Sequence, residues 1–179
     1  MPRFFYIYIM IPRTEIIADD AYNGYIALVK ETDFREAMRK NTKQFRKLVE
    51  SIPRKKYDHA YAEGKWTVRE MLQHIIDAER VFAFRALHLS RKDAAALPSF
   101  DENHWAANDG GATRRWKDLL DEYQFVREST QLLYDALTDD QLRFVGTVRQ
   151  KPLNAFTIGY IIPGHVSHHI NILQERYLK

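Results

Sequence analysis

Three of the seven histidines, His165, His168 and His169, fall between positions 165 and 169, and imidazole is the side chain most often used to hold a transition metal. Positions four apart on a helix lie one above the other, with Cβ atoms roughly 5–6 Å apart, so His165 and His169 can aim at one divalent ion. His168 is a rival, because positions three apart also share a face. The apolar stripe separates the two. Ile158, Ile162, His165, His169 and Ile172 or Leu173 follow a spacing of 4, 3, 4 and 3 or 4. His168 lies about 100° away, beside Gly164 and Ile161. The stripe therefore favours His169. A histidine pair in a core stripe can also be purely structural, yet once buried its ring nitrogens need partners. His74, near the middle of another apolar segment with Asp77 one turn later, is a candidate third ligand. Taken alone it reads better as a core histidine bonded to a backbone carbonyl. Three imidazoles on a tetrahedral ion would leave one position for water or substrate, the arrangement of a catalytic site.

The composition narrows the chemistry further. With no cysteine in 179 residues, disulfides, iron–sulfur clusters, thiolate zinc sites and a cysteine nucleophile are excluded. Any metal must be held by nitrogen and oxygen. A net charge of +3 and a pI near 9.0 come from dispersed lysines and arginines, which form no nucleic-acid footprint. No G-x-S-x-G, P-loop or dinucleotide fingerprint is present, which argues against serine hydrolase and nucleotide chemistry. Glu70, Asp77 and Asp101 are the candidate general bases. Asp77, Glu79 and Arg80 read as a solvated face, and the loop of Asp101, Glu102, His104 and Trp105 could approach the histidines.

Four segments carry the 3.6-residue period that must position these groups. The first spans about 33–52, with Asp33 and Glu36 as a capping pair and Asn41 interrupting its stripe. The second spans about 67–90, opened by a Thr67–Glu70 capping box. The third opens at Thr113 and runs to about 137, followed by a short helix capped by Thr138 and Gln141. The fourth starts near Thr157, and Pro163 either kinks it just before the histidines or marks its true first turn. Long amphipathic helices with almost no strand signal predict an all-α helical bundle. The link of about twenty-two residues from 91 to 112 is long enough to return the chain along the bundle, which allows parallel second and third helices, a choice that periodicity alone does not settle.

Residues 1–30 read as an N-terminal extension ahead of a bundle over 31–179. Within the extension, Phe4 to Ile11 is an aromatic-rich apolar run too short to span a bilayer and lacking a signal-peptide cleavage site. It reads as a short strand, a strap over the bundle, or sequence upstream of a start at Met10. A cytoplasmic protein is expected.

The stretches KWTVREMLQHIIDAERVFAFRAL (Lys65 to Leu87), PSFDENHW, and IIPGHVSHHINILQERYL (Ile161 to Leu178) resemble the DinB superfamily, in its DinB-2 branch. The likeness covers about residue 33 to the C-terminus. It implies a four-helix bundle of up-down-down-up topology and a divalent ion, commonly nickel or zinc with iron or manganese as alternatives. It places the ligands on His74, His165 and His169. It further implies a homodimer and a small-molecule substrate, with metal-dependent hydrolases and thiol S-transferases using a low-molecular-weight thiol among the members. No nucleic acid or membrane partner is expected. The competing reading is a non-catalytic stress-response module in which the ion staples two helices together. The two differ at the fourth coordination position, which is closed by a protein ligand in a staple and open to a pocket in an enzyme.

Overall fold

The computed structural model describes residues 11–179, so the run from Phe4 to Met10 lies outside the described residues. Seven helices and one hairpin follow in order within the described chain. They are α1 (Asp20–Leu28), α2 (Phe34–Ser51), α3 (Val68–Ser90), α4 (Glu102–Ala106), α5 (Trp116–Asp135), α6 (Asp139–Arg143), β1 (Val145–Val148), β2 (Lys151–Asn154) and α7 (Ala155–Ile172). A single π-helical turn, Leu173–Tyr177, continues α7.

The bundle is built from α2, α3, α5 and α7, and its contacts fix the direction of each helix. Phe34 packs on Phe156 and Tyr160, while Asn41 further along donates to Ser167 Oγ at 3.0 Å, so α2 and α7 run parallel. Phe34 also meets Tyr134, and Phe45 meets Tyr123, so α5 runs against α2. Glu79 lies beside Arg127, and Gln73 bonds Arg114 at 2.6 Å, so α3 and α5 run parallel. The order is up-down-down-up. The return that makes α3 and α5 parallel is the long link from Arg91 to Arg115, which carries α4 and a 3₁₀ turn at Gly111–Thr113.

Local chemistry starts most of these helices. Thr67 and Glu70 form a full capping box, as do Thr138 and Gln141. Asp33 caps α2 by accepting from Arg35 N, whereas Glu36 turns outward to Lys40 at 2.7 Å. The third bundle helix opens at Trp116, not Thr113, and has no side-chain cap. Asn154 caps α7 by accepting from Thr157 N, and Pro163 lies within the continuous helix.

Nearly every residue of α7 from Ala155 to Val166 is buried, because α1, α2 and α3 surround it. Glycines permit the closest approaches. A Cβ at Gly159 would lie 2.7 Å from the Phe34 ring, and one at Gly164 only 2.2 Å from the Tyr25 carbonyl oxygen. α1 therefore presses backbone to backbone on α7, one residue before His165. Periodicity gave no helix ahead of residue 33, because α1 is short and carries Asn23 and Gly24, both poor helix formers.

The hairpin was equally unannounced. Its turn residues, Arg149 and Gln150, both adopt left-handed φ values of 54° and 62°, where Asn-Gly would be the usual signal. Leu97 pairs with this hairpin through bonds to Thr147 O and from Arg149 N, which ties the long link to its edge. No helix among the described residues is long and apolar enough to cross a membrane.

Candidate metal centre

His165 and His169 sit on the face of α7 that meets α3, and both are about 95% buried. His74 meets them from α3. The Nε2 atom of His165 lies 3.1 Å from Nε2 of His74 and 3.1 Å from Nε2 of His169. The candidate ligand atoms of all three residues fall within 4.8 Å of one another. Bonds of about 2.0–2.1 Å to a tetrahedral ion would set neighbouring nitrogens roughly 3.3 Å apart, so the observed spacing suits a shared ion.

The chemistry of the donor set suits it too. Burial pushes the pKa of His74 down to about 4 and those of His165 and His169 well below the ordinary histidine value. All three rings are neutral at pH 7, with lone pairs available to a cation. Nδ1 of His169 is buried without a hydrogen-bond partner, leaving this polar cluster incompletely satisfied within the protein.

Aromatic neighbours fix the rings. Trp66 lies against His74 at 4.6 Å between centroids, Phe82 against His165 at 5.6 Å, and Tyr25 edge-on to both His165 and His168 at 5.3 Å. The Asn41–Ser167 bond holds α7 to α2 between the two helical histidines. His168 stands outside the trio, half-buried, as its position off the stripe predicts.

A cavity of about 530 Å³ opens from the histidines, between α1, α3, α7 and the start of α4. None of the three candidate bases lines it. Glu70 is engaged in the capping box, and Asp77 accepts from Gln73 at 3.0 Å. Asp101 is exposed and caps α4. The cavity wall is instead completed by Tyr22, Tyr25, Arg85, Glu102, His168 and Arg149. Of these, Glu102 belongs to the loop expected to approach the site. Tyr22 and Tyr25 come from α1 and Arg149 from the hairpin turn, neither of which the sequence had signalled.

Glu79 differs most from expectation. Instead of facing solvent, it is 2% exposed and accepts two bonds from Arg127, Nε at 2.6 Å and Nη2 at 2.8 Å. Arg127 Nη1 also donates to Thr42 Oγ1 at 2.9 Å and to Met38 O at 3.3 Å. Arg127 is fully buried, so this network pins α2, α3 and α5 together from inside.

Comparison with known proteins agrees with this architecture. A protein called YfiT from Bacillus subtilis, described as a probable metal-dependent hydrolase with an unusual four-helix bundle topology, superposes with a TM-score of 0.68. The match is at 22% identity, over 92% of this chain and 90% of that one. A search of curated proteins returned no match. The DinB superfamily model matches residues 37–173, which hold all four bundle helices but the first turn of α2, together with the three clustered histidines. The chain belongs to the DinB superfamily.

Proposed function

We propose that this protein is a metal-dependent enzyme acting on a small molecule, as a hydrolase or a thiol S-transferase, with His74, His165 and His169 holding one divalent ion. The observation that carries the reading is the placement of three converging Nε2 atoms at the wall of a cavity of about 530 Å³, with no fourth acidic or histidine ligand beside them among the described residues. An open position facing a cavity favours catalysis over a staple. When bound, such an ion supplies Lewis acidity and brings water or a thiol towards ionisation at neutral pH.

The chain's own contribution is orientation. Trp66, Phe82 and Tyr25 pack against the imidazoles and give the cavity an aromatic wall on the metal side. His168 and Glu102 line the same space and are the groups placed to move protons, a role that Glu70 in its capping box, Asp77 bonded to Gln73 and exposed Asp101 are badly placed to fill.

Imidazole ligands suit nickel and zinc, with iron and manganese as weaker alternatives. A cytoplasmic setting is part of this proposal. Phe84, Phe125 and Leu132, each more than half exposed on α3 and α5, offer apolar surface for a homodimer.

The test is turnover of ester, amide and electrophile-plus-thiol panels by the metal-loaded protein, the chelated protein and His165→Ala. Activity confined to the loaded wild type is the expected result. Equal turnover after chelation, or a folded protein that takes up no stoichiometric ion, would overturn the reading.

A further inference from the structure

Arg85 is a buried cation without an anion. It lines the cavity yet is only 3% exposed, and burial holds its pKa below the usual arginine value. Its Nη1 donates to the Tyr22 hydroxyl at 3.2 Å and its Nη2 to Pro98 O at 2.8 Å. Both partners are neutral, and Arg85 forms no ion pair with a carboxylate among the described residues. Arg127, the other deeply buried arginine, is by contrast matched oxygen for nitrogen by Glu79. Leaving a guanidinium buried and unmatched is costly, so a site that keeps one in a cavity wall is shaped for an anion from outside.

A second guanidinium converges on the same point. Arg149 lies 5.2 Å over the Tyr22 ring and lines the same cavity. It reaches there from the hairpin turn whose two residues both take left-handed backbone angles. Such strain persists only where the surroundings enforce it, here through the Leu97 pairing. Unlike Arg85, Arg149 is half-buried and feels the carboxylates of Asp19 and Glu102. These acids temper the positive field, which matches a singly charged planar group better than a doubly charged phosphate. A guanidinium fork and a carboxylate share planar, two-point geometry.

This cluster is the far end of the cavity that begins at the histidines. Phe82 forms a common wall, with its ring 5.6 Å from that of His165 and 6.2 Å from that of Tyr22. We infer that the cavity takes a small molecule bearing a carboxylate, which docks on Arg85 and Arg149 beside Tyr22 while the rest of the molecule lies along Phe82 towards the three histidines. The inference rests on the cavity being a substrate site and names the class of substrate it admits.

The test uses the full chain, as metal-loaded and as chelated protein, titrated calorimetrically with 4-phenylbutyrate, its uncharged amide and phenyl phosphate. Both protein forms should bind 4-phenylbutyrate, and the amide at least about tenfold more weakly, as expected for loss of a charge-assisted hydrogen bond. Arg149→Gln and Arg85→Met should each weaken the carboxylate about tenfold or more, leave the amide unchanged and leave metal content stoichiometric. Arg85→Met should also keep or raise the melting temperature of the unliganded protein, because it removes an unmatched buried charge.

Equal binding of acid and amide overturns the inference, as does an unchanged carboxylate affinity in Arg149→Gln, which serves even if Arg85→Met does not fold. Tighter binding of phenyl phosphate overturns the assignment to a carboxylate. Binding that disappears on chelation places the carboxylate on the ion, which ends the inference but spares the metal reading. Arginine-dependent binding by a protein that never takes up an ion does the reverse.

Discussion

Two of the polar clusters buried among the described residues are built on opposite plans. The Arg127–Glu79 network joins α2, α3 and α5, and each of its polar groups has a protein partner. The histidine cluster joins α3 and α7, and its Nε2 atoms face one another across 3.1 Å, with His169 Nδ1 left without a partner. Burial is similar, so burial does not separate structure from function. Satisfaction does. A network closed within the protein stabilises the fold, while one with polar nitrogens left unmatched is what the proposed metal site requires.

The largest expected effect would come from breaking the closed cluster. Glu79→Ala leaves the Arg127 charge buried and unmatched and should destabilise the protein by about 3–5 kcal/mol, measured by denaturant unfolding. A loss under about 1 kcal/mol would mean that the network is not closed in solution, and the contrast would fail.

Next comes the open cluster. His165→Ala and His169→Ala should each abolish stoichiometric metal, read by elemental analysis of purified protein. They should also remove the stabilisation that added metal gives the wild type, about 2.7 kcal/mol at a hundredfold excess over Kd. Full metal retention in His165→Ala would end the three-histidine assignment.

Titration sharpens the same contrast. The three histidines have folded-state pKa values below their unfolded ones, so the unfolded chain binds protons first as pH falls. Their contribution is whole above about pH 6.5 and is lost as pH drops towards about 4, the value for His74. The metal-free protein should lose roughly 1.4 kcal/mol per pH unit for each such histidine across that window. His74→Gln should flatten the slope, whereas Arg127 stays charged throughout.

The smallest effect belongs to His168→Ala. It should retain metal and change stability by less than about 1 kcal/mol, because the residue is half-buried and outside the trio.

Much of this contrast was legible in the sequence, but unevenly. His165 and His169 stood out because helical period and apolar stripe coincide there, and the same logic set His168 aside. His74 needed the family resemblance, since one histidine in an apolar helix carries little information. The length of the link between α3 and α5 allowed a parallel pair without deciding it, and the up-down-down-up order came with the family resemblance. Glu79 was invisible as a core residue: its partner Arg127 is distant in sequence, and an acid beside Asp77 and Arg80 looks like surface. The far wall of the cavity was hidden for a different reason. It comes from α1, with its weak helix formers, and from a hairpin turned by Arg149 and Gln150, so neither period nor turn signal marked it.

The close seating of α1 on Gly164 has a consequence for the order in which the molecule can be made. Tyr25 covers His165 and His168 from a helix that the ribosome produces early, yet its seat on α7 is synthesised after every other helix described. The Ile17 N–H bond to Thr157 Oγ1 spans 140 residues in the same way. α1 must therefore wait, unseated, through translation of the whole bundle, and the imidazoles can gather only once α7 has cleared the exit tunnel.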